Sequence, residues 1–234
     1  MIMDRSASGN RVEMLPSGRA PERCVLEGRL VILEPMDARR HAEPLYHASH
    51  DTADARQIWT YLPDGPFENP ATFTAWLAAM VVADDRCVFA FRDKQSGRTA
   101  GMATYLDIRP SHGAIEMGYI WFAPFFQRSA QATEALFLML RYALDELRYR
   151  RMQWRCNALN DKSRAAALRL GFTFEGIFYR HMVVKGHNRD TAWYSILDSE
   201  WPRIRANFEA WLTPDNFDAQ GRQRSSLRAL NQSR

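Results

Sequence analysis

Residues 115–135 read I-E-M-G-Y-I-W-F-A-P-F-F-Q-R-S-A-Q-A-T-E-A, and they decide the fold. Ile115–Phe122 is rich in β-branched and aromatic side chains and predicts a strand, with Glu116, Gly118 and Ile120 on one face and Ile115, Met117, Tyr119 and Trp121 on the other. From residue 131 the period changes. Ala132, Ala135, Leu136, Met139, Ala143 and Leu147 recur at spacings of three and four, predicting an amphipathic helix over 131–148 with Glu134, Arg141, Asp145 and Arg148 outside the stripe. A strand therefore feeds directly into the N-terminus of the longest helix.

Upstream, CVFAFRD (87–93), TAGMATYLDIR (99–109) and AIEMGYIWF (114–122) are separated by turn residues and predict an antiparallel meander. RLVILEP (29–35) is a strand stopped by Pro35. Asp37 caps a helix to His50 that Pro44 should bend or interrupt, and Asn69 with Pro70 opens a helix to about Asp84. The loop 59–70 between them carries Trp59, Tyr61 and Phe67. Downstream come a strand (151–156), a short helix (161–170) ended by Gly171, a hairpin turning at Lys185-Gly186, and a helix presenting Trp201, Ile204, Phe208 and Trp211 on one face. The expected architecture is one α/β (α+β) domain over 26–212. It has a mixed, mostly antiparallel, twisted sheet of about seven strands with helices on both faces. Residues 1–25 are expected to be a flexible arm and 213–234 a polar, loosely held tail.

The 234 residues carry 31 Lys and Arg against 27 Asp and Glu, and 46% are hydrophobic. This is the balance of a folded globular chain, and a surplus of +4 is too small to argue for nucleic acid. Cys24, Cys87 and Cys156 are too few and too far apart for a disulfide framework, which favours a reducing, cytoplasmic setting. No zinc-type histidine spacing, signal peptide or membrane-length apolar run is present, so no metal and no membrane partner are expected.

The start of the 131–148 helix carries the chemistry. Unpaired backbone N–H groups and the helix dipole at Gln127-Arg128-Ser129-Ala130-Gln131-Ala132 suit a pyrophosphate, and Arg128 adds charge. This segment, continued by Thr133-Glu134-Ala135, resembles the acyl-CoA motif Gln/Arg-x-x-Gly-x-Gly/Ala of the GNAT N-acetyltransferases, in the branch that acetylates ribosomal-protein N-termini (alanine/serine). Ala130 replaces the first motif glycine. Its methyl should hinder a phosphate and would strain the backbone if the position needs positive φ. The alternative for Ser129 is an ordinary helix cap. Asn157 to Phe172 resembles the family's Asn-x-x-Ser helix ending in Gly-Phe.

The resemblance covers about residues 26–212. It implies a GNAT-like fold and an N-acyltransferase that moves an acyl group, acetyl first, from acetyl-CoA (CoA) to a primary amine by direct attack. The amine would belong to a small molecule or a protein N-terminus. Trp121, Phe122 and residues 127–133 (Gln127, Arg128, Ser129, Ala130, Gln131, Ala132, Thr133) would bind the cofactor with Asn160 and Ser163. Ser163 would protonate the leaving thiolate. Glu116 would be the general base and touch the acceptor, which Trp59 and Tyr61 would enclose. A carboxylate facing a desolvated cleft can have its pKa raised toward neutrality, as a base for an alkylammonium requires. Residues 177–184 lack a carboxylate, so His181 is the second candidate base. Cys87 and Cys156 read as structural. A noncatalytic acyl-CoA-binding module is the alternative; monomer and homodimer are both open.

Overall fold

The computed structural model describes residue 12 and residues 19–232. In chain order the elements are β1 (Leu26–Glu27), β2 (Val31–Pro35), α1 (Ala38–His50), α2 (Ala53–Arg56), α3 (Pro70–Val82), β3 (Cys87–Asp93), β4 (Thr99–Arg109), β5 (Ala114–Phe122), α4 (Ala130–Arg141), β6 (Arg151–Asn157), α5 (Asp161–Arg169), β7 (Thr173–Val184), β8 (His187–Leu197), α6 (Trp201–Trp211) and α7 (Leu227–Gln232). One sheet runs β1-β2-β3-β4-β5-β6-β8-β7. All neighbours are antiparallel except β5 and β6, because the chain must cross over through α4 between them. The eighth strand arises because the first apolar run folds back on itself at Gly28–Leu30, pairing Leu26 with Leu33.

The sheet carries two cores. On one face α4, α5 and α6 pack over Phe89, Tyr105, Ile115, Met117, Trp154 and Ile196; on the other, α1 and α3 enclose Trp59, Phe73, Met102 and Trp121. The predicted faces of α4 and α6 are buried as expected, burial of such side chains stabilising each by about 1.5–3 kcal/mol.

Several expectations need correction. Pro44 lies inside α1 without interrupting it, although its ring nitrogen donates no helix hydrogen bond. Glu134, placed on the outer face, is buried and accepts from the Arg29, Leu30 and Val31 N–H groups at 3.0, 2.6 and 3.0 Å. The α-helical hydrogen bonding of α4 gives way after Arg141 to a π-helical turn over Tyr142–Glu146. The tail is not loose: Leu227 is fully buried, and Asn231 Nδ2 donates to the Arg169 carbonyl. Much of the expected flexible arm lies outside the described residues, but within 19–25 Glu22 N donates to Tyr142 Oη and Arg19 O accepts from Tyr149 Oη.

Candidate active site

β5 and β6 pair only at their starts, Ala114–Glu116 against Arg151–Gln153. Beyond that point β5 follows β4 and β6 follows β8, so the sheet opens into a fork. Residues 117–122 and 154–157 face the gap with strand edges that lack a partner across it. Such edges suit an extended, amide-bearing chain, which can hydrogen-bond as an added strand does. β5 also bulges. Met102 pairs with Trp121 but Thr104 with Gly118, and Tyr119 takes φ 50°. The extra residue reverses the side-chain parity, so Trp121 packs into the α1/α3 core instead of sharing the face of Met117, and Ile120 joins the Met117 side.

Glu116 stands at the root of the fork, buried to 4% exposure. Burial pushes its carboxyl above the ordinary carboxylate range, and the ion-paired Arg155 guanidinium pulls it part of the way back. Arg155 lies over the Trp193 ring, 4.8 Å from its centroid, and 3.9 Å from the Asp107 carboxylate. Gly118 keeps the neighbouring space open: a side chain there would press on Leu106 and on Glu116 Oε1.

At the other end of the fork, Ser129 caps α4, its hydroxyl accepting from Ala132 N at 3.0 Å and donating to Phe126 O at 2.6 Å. Gln127 Nε2 donates to Phe122 O at 3.0 Å, tying the loop to the end of β5, and Thr133 Oγ1 donates to Ser129 O. The Ala130 and Gln131 N–H groups have no partner among the described residues. Together with the helix dipole they form a ready anion site. The left-handed residue of the loop is Arg128, φ 58°, whereas Ala130 is the first residue of α4, so the expected backbone strain at Ala130 does not arise.

The Asn160 segment forms the helix cap of its structural reading. Asn160 Oδ1 accepts from Ser163 N at 3.1 Å as a cap, and Ser163 Oγ accepts from Trp154 Nε1 at 3.0 Å. An indole N–H can only donate, so the Ser163 proton is left free to point elsewhere.

Three tethers hold the 57–68 segment beside the fork. Tyr61 Oη donates to Leu159 O at 3.0 Å, Lys185 Nζ to Trp59 O at 2.7 Å, and Tyr119 Oη to Asp64 Oδ2 at 3.0 Å. Burial pushes the Tyr119 phenol well up, so it stays protonated. Trp59 itself is fully enclosed, its indole donating to Ser49 O; it anchors the loop from within and does not line a pocket surface. His181 Nδ1 sits 3.0 Å from Thr191 Oγ1, on the hairpin. Sequence reasoning passed over Arg155, Tyr119, Asp64 and Lys185, whose partners lie on other elements. The β5–β6 pairing, Glu116 opposite Gln153, brings the first of them to Glu116, two residues further along the same face of β6.

The sequence and fold that build this arrangement have known relatives. A family model described as "Acetyltransferase (GNAT) domain" matches residues 30–173. The crystal structure of a GCN5-related N-acetyltransferase from Brucella melitensis superposes with a TM-score of 0.90 at 46% identity, covering 94% of this chain and 98% of that one. The Bacillus subtilis protein named "Putative ribosomal N-acetyltransferase YdaF" is 28% identical over 176 residues, 73% of this chain and 91% of its own length. The Microcin C7 self immunity acetyltransferase MccE, in complex with acetyl-CoA and AMP, is alike in fold alone, with a TM-score of 0.64 at 21% identity over 73% of this chain and 93% of that one. The matched region takes in the whole fork, the N-terminus of α4 and the Asn160–Ser163 turn, and this chain belongs to the GNAT family of acetyltransferases.

Proposed function

We propose that the chain transfers the acetyl group of acetyl-CoA to a primary amine by direct attack, with Glu116 as general base and Ser163 as the acid for the leaving group. The carrying observation is the position of Glu116: a carboxylate with raised pKa at the root of the fork, where the two strand edges part. Acetyl-CoA, when bound, supplies a thioester activated toward nucleophiles. The Ala130 and Gln131 N–H groups, with Arg128, would take its pyrophosphate, and the open edges around Trp121 and Phe122, with Asn160, would hold its amide-bearing arm. Held this way, the thioester carbonyl would lie in the gap, beside the 57–68 segment and its tethers.

Glu116 would then accept one proton of the acceptor ammonium through a water molecule, freeing the nitrogen lone pair to attack the carbonyl carbon, and the second nitrogen proton would pass to solvent as the amide forms. As the carbon–sulfur bond breaks, the Ser163 hydroxyl donates to the departing sulfur and regains its proton from solvent. The Trp154 indole N–H takes an acceptor site of that hydroxyl and leaves its proton available to donate. Tyr61 would close the acceptor side. The names of YdaF and of the Brucella melitensis protein, both N-acetyltransferases, support an amine nitrogen as acceptor.

The test is a calorimetric titration with acetyl-CoA followed by pH–rate profiles of wild type and Glu116→Gln. The expected result is one-to-one binding in both and a loss of about a hundredfold or more in kcat in the variant. An unchanged rate and profile would overturn the role of Glu116; absence of acetyl-CoA binding would overturn the cofactor reading.

A further inference from the structure

Beside the fork lies a cation, Arg189, with no hydrogen-bonded or ion-paired partner among the described residues. Along β8, Arg189, Thr191 and Trp193 alternate onto one face; Trp193 pairs with Arg155, so this is the face that carries Arg155 and its partner Glu116. Two ring contacts bear this out: Phe178 and His181 lie 4.9 and 5.9 Å from the Trp193 ring. Arg155 is committed, paired with Glu116 and stacked on Trp193. Arg189 is not. Its Nε is buried with no partner, and its guanidinium makes no hydrogen bond or ion pair among the described residues. The Trp193 Nε1–H group is also buried without a partner. The Glu116 charge acts on Arg189, which places the two in one electrostatic neighbourhood, while burial makes holding the Arg189 charge costly. A half-buried guanidinium is donor-only, and with its buried Nε–H unsatisfied it is a group that a second anion would complete.

We infer that Arg189 is a specificity-determining residue that recognises a carboxylate carried beside the amine of the acceptor. This rests on the acetyltransferase reading above and names its acceptor class: amines bearing an acid group, in preference to simple alkylamines. The planar fork of a guanidinium matches a carboxylate with two parallel N–H donors, so Lys at this position should not substitute. The same chemistry would also read the distal carboxylate of a dicarboxylic acyl chain, and the experiment separates the two sources.

The experiment follows the Arg189 side-chain Nε–H resonance by NMR in the full chain, identified by its loss in Arg189→Lys. The probes are matched pairs at millimolar concentration, γ-aminobutyrate against butylamine and tyrosine against tyramine, and separately succinyl-CoA against acetyl-CoA. Saturable movement of the resonance with the acid-bearing amines alone supports the proposal as stated. Movement with succinyl-CoA alone keeps the carboxylate site and moves its source to the acyl group. No movement with any acid overturns it. The Ala130 and Gln131 amides in the same spectra report acetyl-CoA binding independently, so failure of the cofactor reading shows as silence there whatever Arg189 does. In steady-state assays the kcat/KM ratio of acid to neutral acceptor should fall about tenfold or more in Arg189→Ala, as loss of a charge-assisted hydrogen bond implies. An unchanged ratio counts against the proposal.

Discussion

The Glu116 carboxylate is ion-paired with the Arg155 guanidinium across the position where β5 and β6 cease to hydrogen-bond. Two opposing influences therefore set one proton affinity: burial raises it, and Arg155 lowers it. Burial is the larger of the two, so the net direction is upward from the ordinary carboxylate range.

Arg155→Gln should move the acidic limb of the kcat/KM profile to higher pH. The substitution removes the influence that favours the charged form and leaves burial unopposed. A limb that stays in place, or moves to lower pH, would show that the limb belongs to another group.

Ala130→Gly should not tighten acetyl-CoA binding. Ala130 is already in α4 and the left-handed residue is Arg128, so the change relieves no strain and adds chain freedom. Calorimetry should give a dissociation constant within about twofold of wild type, with unfolding stability lower by up to about 1 kcal/mol. A tenfold gain in affinity would mean that the methyl group obstructs the phosphate.

His50 makes the loop beside the fork sensitive to acid. Its Nε2 accepts from Phe67 N at 2.9 Å, so its proton is on Nδ1, facing Tyr46 O at 3.1 Å. Burial lowers its pKa from the ordinary 6.5. The unfolded chain therefore takes up this proton first as pH falls. The stability contributed by neutral His50 is complete above about pH 6.5 and is lost as pH falls through the lowered folded value. Urea titrations between pH 7.5 and 5 should show this slope in wild type and a shallower one in His50→Ala. The variant should also be less stable at neutral pH by about 1–3 kcal/mol, because the Phe67 N–H loses its acceptor. Equal slopes would show that His50 does not carry the effect.

Glu134→Ala should be among the more damaging single changes away from the fork. It strips three backbone N–H groups of their acceptor at once and should cost about 3 kcal/mol or more in denaturant unfolding. A loss below about 1 kcal/mol would mean that water replaces the carboxylate.

Leu227→Ala tests the docked tail. The side chain is fully buried against the α5/α6 end of the core, and its truncation should cost about 2–4 kcal/mol by the same measurement. A tail that contributes nothing to stability would show no change.

The secondary structure was largely written in local order. The 87–93, 99–109 and 114–122 strands, the Asn69 cap and the four buried residues of α6 appear where periodicity and capping chemistry put them, because those signals act within a few residues. The segment that opens α4 was legible for the same reason: a helix start is a local event. Glu116 was visible as a lone carboxylate among apolar neighbours, but its pairing with Arg155 was not.

By itself, then, the sequence determined the element order, the mixed sheet and the residues that open α4, since each depends on side-chain pattern over one or two turns or strands. Only the tertiary structure decided what those residues face. The bulge at Tyr119 inverts the parity of β5 and sends Trp121 into the other core. The β6–β8 register sets Arg155 against Trp193. The folding of β1 against β2 brings the Arg29–Val31 amides to Glu134 and draws an apparently outward carboxylate inside. These are pairings between residues tens of positions apart, fixed by strand register and packing, and no local period encodes them.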